Sequence, residues 1–125
     1  MQLQGAMLFV TDLPRMAAFY SDVLGLKAVA DTRMDNWIEF EAGSTRFSLH
    51  AIPSTALSAC APFASPPKPR ESNPIRLDFA VSDVESERTR LEALGVPVLV
   101  RPWGACDIVD PEGNVLGLRA AGPRP

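Results

Sequence analysis

The chain has 125 residues, of which 46% are hydrophobic and 22% charged, and its formal net charge is −3. This composition is typical of one globular domain, and the slight excess of acidic side chains argues against a nucleic-acid-binding surface. The stretch "MQLQGAMLFVTD" lacks the basic start and long apolar core of a signal peptide, and no apolar run reaches membrane-spanning length, so we expect a cytoplasmic protein without nucleic-acid or membrane partners.

The first predicted elements are a strand and a helix. Ala6, Leu8 and Val10 alternate with Met7 and Phe9, which is typical of a half-buried strand. The helix that follows has a cap at Thr11 or Asp12, Pro14 in its first turn, apolar Met16, Phe19, Tyr20, Val23 and Leu24 at helical spacing, and Gly25 at its end. Three short strands are then predicted near Lys27–Asp31, Trp37–Glu41 and Arg46–Ala51.

The segment 53–74 contains six prolines and has little periodicity. We interpret it as a connector, either a plain linker or partly a lid. Cys60 falls within it, and Cys106 lies far away in the sequence, so the two cysteines fit no zinc-site spacing. Two free thiols are expected, and a disulfide is the alternative.

The second half of the chain has the same order of elements. Leu77, Phe79 and Val81 alternate with Arg76, Asp78 and Ala80, and a helix is predicted from Ser82 or Asp83 to Gly95. Strands are predicted near Val98–Arg101, Ala105–Val109 and Val115–Ala120, and the stretch "DPEG" at Asp110–Gly113 suits a type I turn before the last of them.

The two halves form an internal repeat. Asp12 matches Asp83 at an offset of 83 − 12 = 71 residues, and Gly25 matches Gly95 at 95 − 25 = 70. The predicted fold is therefore α+β, with two tandem β-α-β-β-β modules whose curved sheets surround a cavity. Module one is 1–52, the connector is 53–74 and module two is 75–122, within one domain, 1–125.

Strand alternation assigns a set of residues that is far more polar than a protein core to the sheet faces that the helices do not cover. These are Met7, Phe9, Ser48, His50, Arg76, Asp78, Val115, Gly117 and Arg119. Burying unpaired charges is costly, so these groups are expected to meet one another, water or a ligand.

The paired modules, the helix end "FYSDVLGL" and the hairpin "DPEGNVLGLR" resemble the vicinal oxygen chelate superfamily, which includes glyoxalase I, the bleomycin resistance proteins and the extradiol dioxygenases. The resemblance covers nearly the whole chain and implies the fold more strongly than an activity. It also implies a homodimer. In that dimer the two modules pair either within one chain or between the two chains.

Metal enzymes of this superfamily draw mostly His and Glu ligands from four strands, and the resemblance maps their positions to Gly5, Ser48, Arg76 and Gly117. Arginine has no lone pair to donate, and this set does not suit a divalent cation, so no cofactor is expected. In one alternative, a register shifted by two residues places His50 at the ligand position in place of Ser48. In another, a rearranged site recruits His50, Asp78 and Glu39.

Individual residues have alternative roles. His50 is either an acid–base group or a hydrogen-bonded wall residue. Arg76 binds a carboxylate or enolate-like oxygen, or it pairs internally with Asp78 or Glu39. Trp37 and Trp103 stack on a planar ligand or are partly buried packing residues, and Arg119 faces the cavity or reaches solvent.

We therefore predict a metal-free protein that binds a small amphipathic or aromatic molecule through these candidates: Met7, Phe9, Trp37, Ser48, His50, Arg76, Asp78, Trp103 and Arg119. The alternative is a lyase, isomerase or dioxygenase of the same superfamily with an atypical site that uses His50 and Arg76.

Overall fold

The computed structural model describes residues 1–57 and 65–122. The chain divides into two compact units, Met1–Pro62 and Phe63–Pro125. Each unit contains a four-stranded sheet and a helix that follows its first strand. The predicted α+β fold with two β-α-β-β-β modules is therefore confirmed.

The sheet of the first unit has the strand order β1-β4-β3-β2, with β1 parallel to β4 and the other pairs antiparallel. The strands are β1 (Gly5–Val10), β2 (Lys27–Ala28), β3 (Trp37–Ala42) and β4 (Thr45–Ala51). The predicted second strand is shortened because Ala30–Thr32 forms a 3₁₀ turn instead of extended chain.

The helix of the first unit, α1 (Leu13–Ala18), continues as a π-helical turn over Phe19–Val23. Asp12 caps it, since its side chain accepts a hydrogen bond from the Arg15 backbone N–H at 3.1 Å. The buried face packs on the sheet: the Tyr20 ring lies 4.8 Å from the Phe47 ring and 6.4 Å from the Phe40 ring, measured between centroids. This apolar layer leaves the other face of the sheet uncovered by the helix.

The second unit repeats this arrangement with the strand order β5-β8-β7-β6. Its elements are β5 (Leu77–Val81), α3 (Val84–Ala93), β6 (Val98–Val100), β7 (Cys106–Val109) and β8 (Val115–Ala120). Asp83 caps α3 by accepting from the Ser86 N–H at 3.0 Å, and Leu91 of this helix is fully buried. The aspartates, rather than the neighbouring hydroxyl residues, provide the helix caps that the structure shows.

The connector contributes local structure to both units. Ser54–Leu57 forms one helical turn, α2. Further on, the Arg70 backbone N–H donates to the Gly113 carbonyl at 2.8 Å, and the Arg70 guanidinium contacts Asn114 Oδ1 at 3.3 Å. The end of the connector is thus attached to the hairpin turn of the second unit and is more than a plain linker.

Two further predictions concern membranes and thiols. None of the helices found in residues 1–57 and 65–122 has the length and apolar character needed to span a bilayer. Cys106 is a buried free thiol on β7, and burial raises its pKa. Cys60 lies outside the described residues.

Strand register relates the two sheets residue by residue. Met7 of β1 lies beside Ser48 of β4, and Asp78 of β5 lies beside Gly117 of β8. Ser48 and Gly117 therefore hold equivalent central positions on the faces opposite the helices, which we call the open faces.

Candidate functional site

A row of three residues crosses the open face of the second sheet. Asp78, Gly117 and Asp107 are direct cross-strand neighbours on β5, β8 and β7. Residues paired in this way project from the same face, so two carboxylates flank a position without a side chain.

The space above Gly117 is filled by its neighbours. A Cβ atom added at Gly117 would lie 2.1 Å from Asp78 Oδ1 and 2.9 Å from Arg119 Nη2. Arg119 follows two residues later on the same face, and its guanidinium folds back over the glycine, 3.6 Å from Asp78 Oδ1 and 3.4 Å from Asp107 Oδ1. The glycine allows this guanidinium to lie between the two carboxylates.

Asp107 is the centre of the charged cluster. Its side chain is 9% exposed and its Oδ2 atom accepts a hydrogen bond from Arg101 Nε at 2.8 Å. Arg76 Nη1 lies 3.7 Å from the same oxygen, and Arg119 contacts the other oxygen. A nearly buried carboxylate is therefore surrounded by three guanidinium groups, which compensate its desolvation.

The connector adds a third carboxylate at the edge of this cluster. Glu71 makes a bidentate pair with Arg101, with Nη1–Oε2 and Nη2–Oε1 distances of 3.0 and 2.8 Å. The hydrogen bond from Arg101 lowers the pKa of Glu71. The hydrogen bond from Arg101 to Glu71 is the largest cause of the raised pKa of Arg101, and its hydrogen bond to Asp107 is the second largest.

Arg76 is held more loosely than the other arginines of the cluster. Its contacts with the Glu71 carboxylate, the Glu71 carbonyl and Asp107 range from 3.5 to 3.7 Å, whereas Arg101 has contacts of 2.8 Å with both partners. The Arg76 side chain is also 35% exposed against 16% for Arg101. Arg119 is as exposed, at 36%, but it also donates to the Cys106 and Leu118 carbonyls at 3.0 Å, so Arg76 is the arginine best placed to change partners.

The open face of the first sheet carries a groove instead of an arginine cluster. Ser48 is flanked by Met7 on one side and by Glu39 on the other. Together with Gly5 and Trp37, these residues line an open groove of about 270 Å³. The short side chain of Ser48 leaves this space unfilled.

Aromatic side chains form the next row of the same face. His50 lies between Phe9 and Trp37 in the strand register, with ring centroids at 5.4 and 5.8 Å. His50 Nδ1 lies 2.8 Å from the Ala51 carbonyl. A carbonyl only accepts, so this nitrogen donates, and in a neutral ring Nε2 is left as an acceptor.

Gly5, Ser48, Arg76 and Gly117 correspond to the metal-binding positions of the superfamily that this sequence resembles. The structure shows that these residues do not suit a metal ion. A side chain at Gly5 would place its Cβ 2.7 Å from the Arg46 carbonyl, and the space at Gly117 holds Asp78 and a guanidinium. Arg76 is a cation without a free lone pair. In the part of the chain that the structure describes, no group of three or more His, Cys, Asp or Glu side chains is arranged to hold a metal ion.

The structure places all of the predicted site residues except Trp103 in two groups, one on each open face. Met7, Phe9, Trp37, Ser48 and His50 lie on the first sheet, and Arg76, Asp78 and Arg119 lie on the second. Arg119 turns back over the sheet rather than reaching away from it. Trp103 lies in the turn between β6 and β7 and is 76% exposed, so it is not the partly buried packing residue of the alternative prediction.

Sequence reasoning missed three residues of the cluster: Glu71, Arg101 and Asp107. A signal for Asp107 was available, because it alternates with apolar Cys106 and Ile108 along one strand. Asp107 also occupies the position equivalent to Glu39. Asp107 pairs with Gly117, and Glu39 pairs with Ser48, which is the equivalent of Gly117 in the first sheet. No local pattern indicates the long-range pair between Glu71 and Arg101.

Comparisons with known proteins agree with this architecture. The chain is 27% identical to a lactoylglutathione lyase from Agrobacterium tumefaciens, with a TM-score of 0.66 over 96% of this chain and 93% of the other. A protein of unknown function from the same organism is 25% identical, with a TM-score of 0.68 and coverage of 98% and 95%. The fosfomycin resistance protein FosX from Listeria monocytogenes shares the fold at 17% identity, with a TM-score of 0.68 and coverage of 97% and 92%.

No curated protein sequence gave a significant match. The family described as "Glyoxalase-like domain" matches residues 6–118, which cover most of both modules. The chain therefore belongs to the glyoxalase-like domain family, within the vicinal oxygen chelate superfamily.

Proposed function

We propose that this protein binds a small amphipathic or aromatic molecule without a metal ion and that Arg76 contacts an anionic or carbonyl oxygen of the ligand. The loose attachment of Arg76 carries the proposal, because its contacts of 3.5–3.7 Å leave its donors poorly satisfied beside a firmly bonded cluster. A guanidinium donates two parallel hydrogen bonds to a carboxylate, which makes it suitable for this type of ligand.

The second supporting feature is the nature of the first open face. Its row of Phe9, His50 and Trp37 and its groove over Ser48 offer planar and apolar surface. Planar ligands pack favourably on such side chains. The aromatic character of the proposed ligand rests on this row.

A thermal-shift comparison tests the role of Arg76. Benzoate is expected to raise the melting temperature more than benzamide or benzylamine does, because it alone of the three presents a carboxylate. Replacing Arg76 by glutamine should remove the benzoate effect. Arg88→Gln is the matched control: Arg88 is 30% exposed and paired with Glu85 and Glu92, but it lies on α3.

Two outcomes would contradict the proposal. Equal shifts for all three compounds would show that the carboxylate is not recognised, and an unchanged benzoate shift in Arg76→Gln would remove Arg76 from the site. The alternative, a lyase, isomerase or dioxygenase that uses His50 and Arg76, is favoured by the likeness to a lactoylglutathione lyase. Stoichiometric metal in the purified protein, lost on replacing His50, would favour that alternative.

We also propose that the protein is a cytoplasmic homodimer with twofold symmetry. Each sheet has two edge strands, and Met7 and Phe9 on the open face of the first sheet are 43% and 57% exposed. Edge strands and exposed apolar side chains are commonly covered by a second copy. Light scattering at micromolar concentration should give twice the chain mass of 13.5 kDa, and a monomer mass would contradict the proposal.

A further inference from the structure

The position of Glu71 suggests more than a structural ion pair. We propose that Arg76 and Arg101 form a carboxylate subsite occupied in the free protein by the chain's own Glu71, and that the carboxylate of a small organic acid displaces Glu71 on binding. This inference rests on the proposed function and adds to it a ligand class and a built-in competitor.

The geometry of Glu71 is that of a bound carboxylate. Both of its oxygens accept from Arg101, at 2.8 and 3.0 Å, and Arg76 Nη2 approaches Oε1 at 3.5 Å. Bidentate contact with a guanidinium is the arrangement by which an arginine recognises a carboxylate, and Arg76 adds a longer side contact here. A ligand carboxylate in the same place would make the same contacts.

The charged cluster around Asp107 has one more cation than anions when Glu71 is left out. Arg76 just before β5, Arg101 just after β6 and Arg119 on β8 supply three guanidiniums, and Asp78 and Asp107 supply two carboxylates. The difference, 3 − 2, is one positive charge, which Glu71 neutralises from outside the sheet. Without Glu71 the open face would attract a monoanion.

Glu71 differs from Asp107 in how it is anchored. Asp107 projects from the central strand β7 and is 9% exposed, whereas Glu71 is 52% exposed and lies in a turn between Arg70 and Asn73. That turn is attached by the bond from the Arg70 N–H to the Gly113 carbonyl and closed by the 3.2 Å bond from the Asn73 N–H to the Arg70 carbonyl. The Glu71 side chain can therefore rotate away without breaking either contact or the sheet.

A tethered carboxylate competes with a free one through its effective concentration, which is in the millimolar range for short tethers. We therefore expect Glu71→Gln to tighten the Kd of benzoate about tenfold, as measured by calorimetry. Glu71→Asp keeps the charge but shortens the side chain by one methylene, which prevents the bidentate contact, so it should also tighten binding. Glu92→Gln is the control, because Glu92 is 48% exposed and paired with Arg88 on α3.

The outcomes separate this inference from the proposed function. If wild type binds benzoate through Arg76 and both Glu71 variants have the wild-type Kd, Glu71 is not a competitor, although the proposed function stands. If Glu71→Gln tightens the binding of benzoate but Glu71→Asp does not, the effect is one of charge. The same holds if Glu92→Gln tightens binding equally. In either case the proposal that Glu71 occupies the carboxylate subsite is wrong. If benzoate binds to none of the proteins, the proposed recognition of a carboxylate fails as well.

Discussion

Replacing Asp107 by alanine is expected to lower the free energy of unfolding by about 3 kcal/mol. The nearly buried carboxylate contacts Arg76, Arg101 and Arg119, and its loss leaves three guanidiniums close together without their central partner. Removing one partner of a buried pair costs about 3–5 kcal/mol. The lower end applies because Arg76 and Arg119 are about one-third exposed and can turn toward water.

Urea denaturation measures this loss as a lower transition midpoint at an unchanged slope. Asp107→Asn should lose less, because the amide oxygen still accepts from Arg101 while the charge is removed. Asp31→Ala is a surface control in the exposed 3₁₀ turn of the first unit and should change stability by less than about 0.5 kcal/mol. A loss below about 1 kcal/mol for Asp107→Ala would mean that Asp107 does not hold the cluster together.

Replacing Asp110 by alanine is expected to cost about 2–4 kcal/mol of stability. Asp110 is fully buried. Its Oδ1 atom accepts from the Glu112 and Asn114 backbone N–H groups, both at 2.9 Å, and its Oδ2 atom accepts from Asn114 Nδ2 at 2.8 Å. Each buried donor left without a partner costs about 1–3 kcal/mol, and the turn that joins β7 to β8 would lose these three bonds to the Asp110 side chain.

A reciprocal exchange makes this prediction specific. Asp110→Asn places an amide donor against the Asn114 amide donor, and Asn114→Asp places two carboxylates together, so each single variant should be destabilised. The double variant restores one donor and one acceptor and should recover part of the loss in urea denaturation. The stability losses of the two single variants add up to the loss expected if the two side chains do not interact. If the double variant loses this full sum, the contact between these side chains is not what stabilises the turn.

Local sequence signals were sufficient for the elements of the fold. The alternation of Ala6, Leu8 and Val10 predicted β1, and the aspartates at 12 and 83 marked the starts of both helices. These signals work because strand alternation, caps and turns depend on residues a few positions apart. The repeat then predicted two equivalent modules. The strand register agrees with this prediction, because Ser48 and Gly117 occupy equivalent positions in the two sheets.

Element boundaries were less well determined. The strand predicted near Lys27–Asp31 ends at Ala28, and the first helix widens into a π turn at Phe19. Both differences concern the end of an element, because periodicity specifies which face of an element is buried and not the residue at which the element stops.

Strand alternation alone predicts that Arg76, Asp78 and Arg119 share an open sheet face. It does not predict their partners: Arg119 folds over Gly117, Asp107 contacts three guanidiniums, and Glu71 reaches Arg101 from the connector. Strand alternation specifies a face, but an arginine side chain is long enough to reach several neighbours on it. Which one it contacts depends on cross-strand register and on where a distant segment returns to the sheet, and these are properties of the folded chain alone.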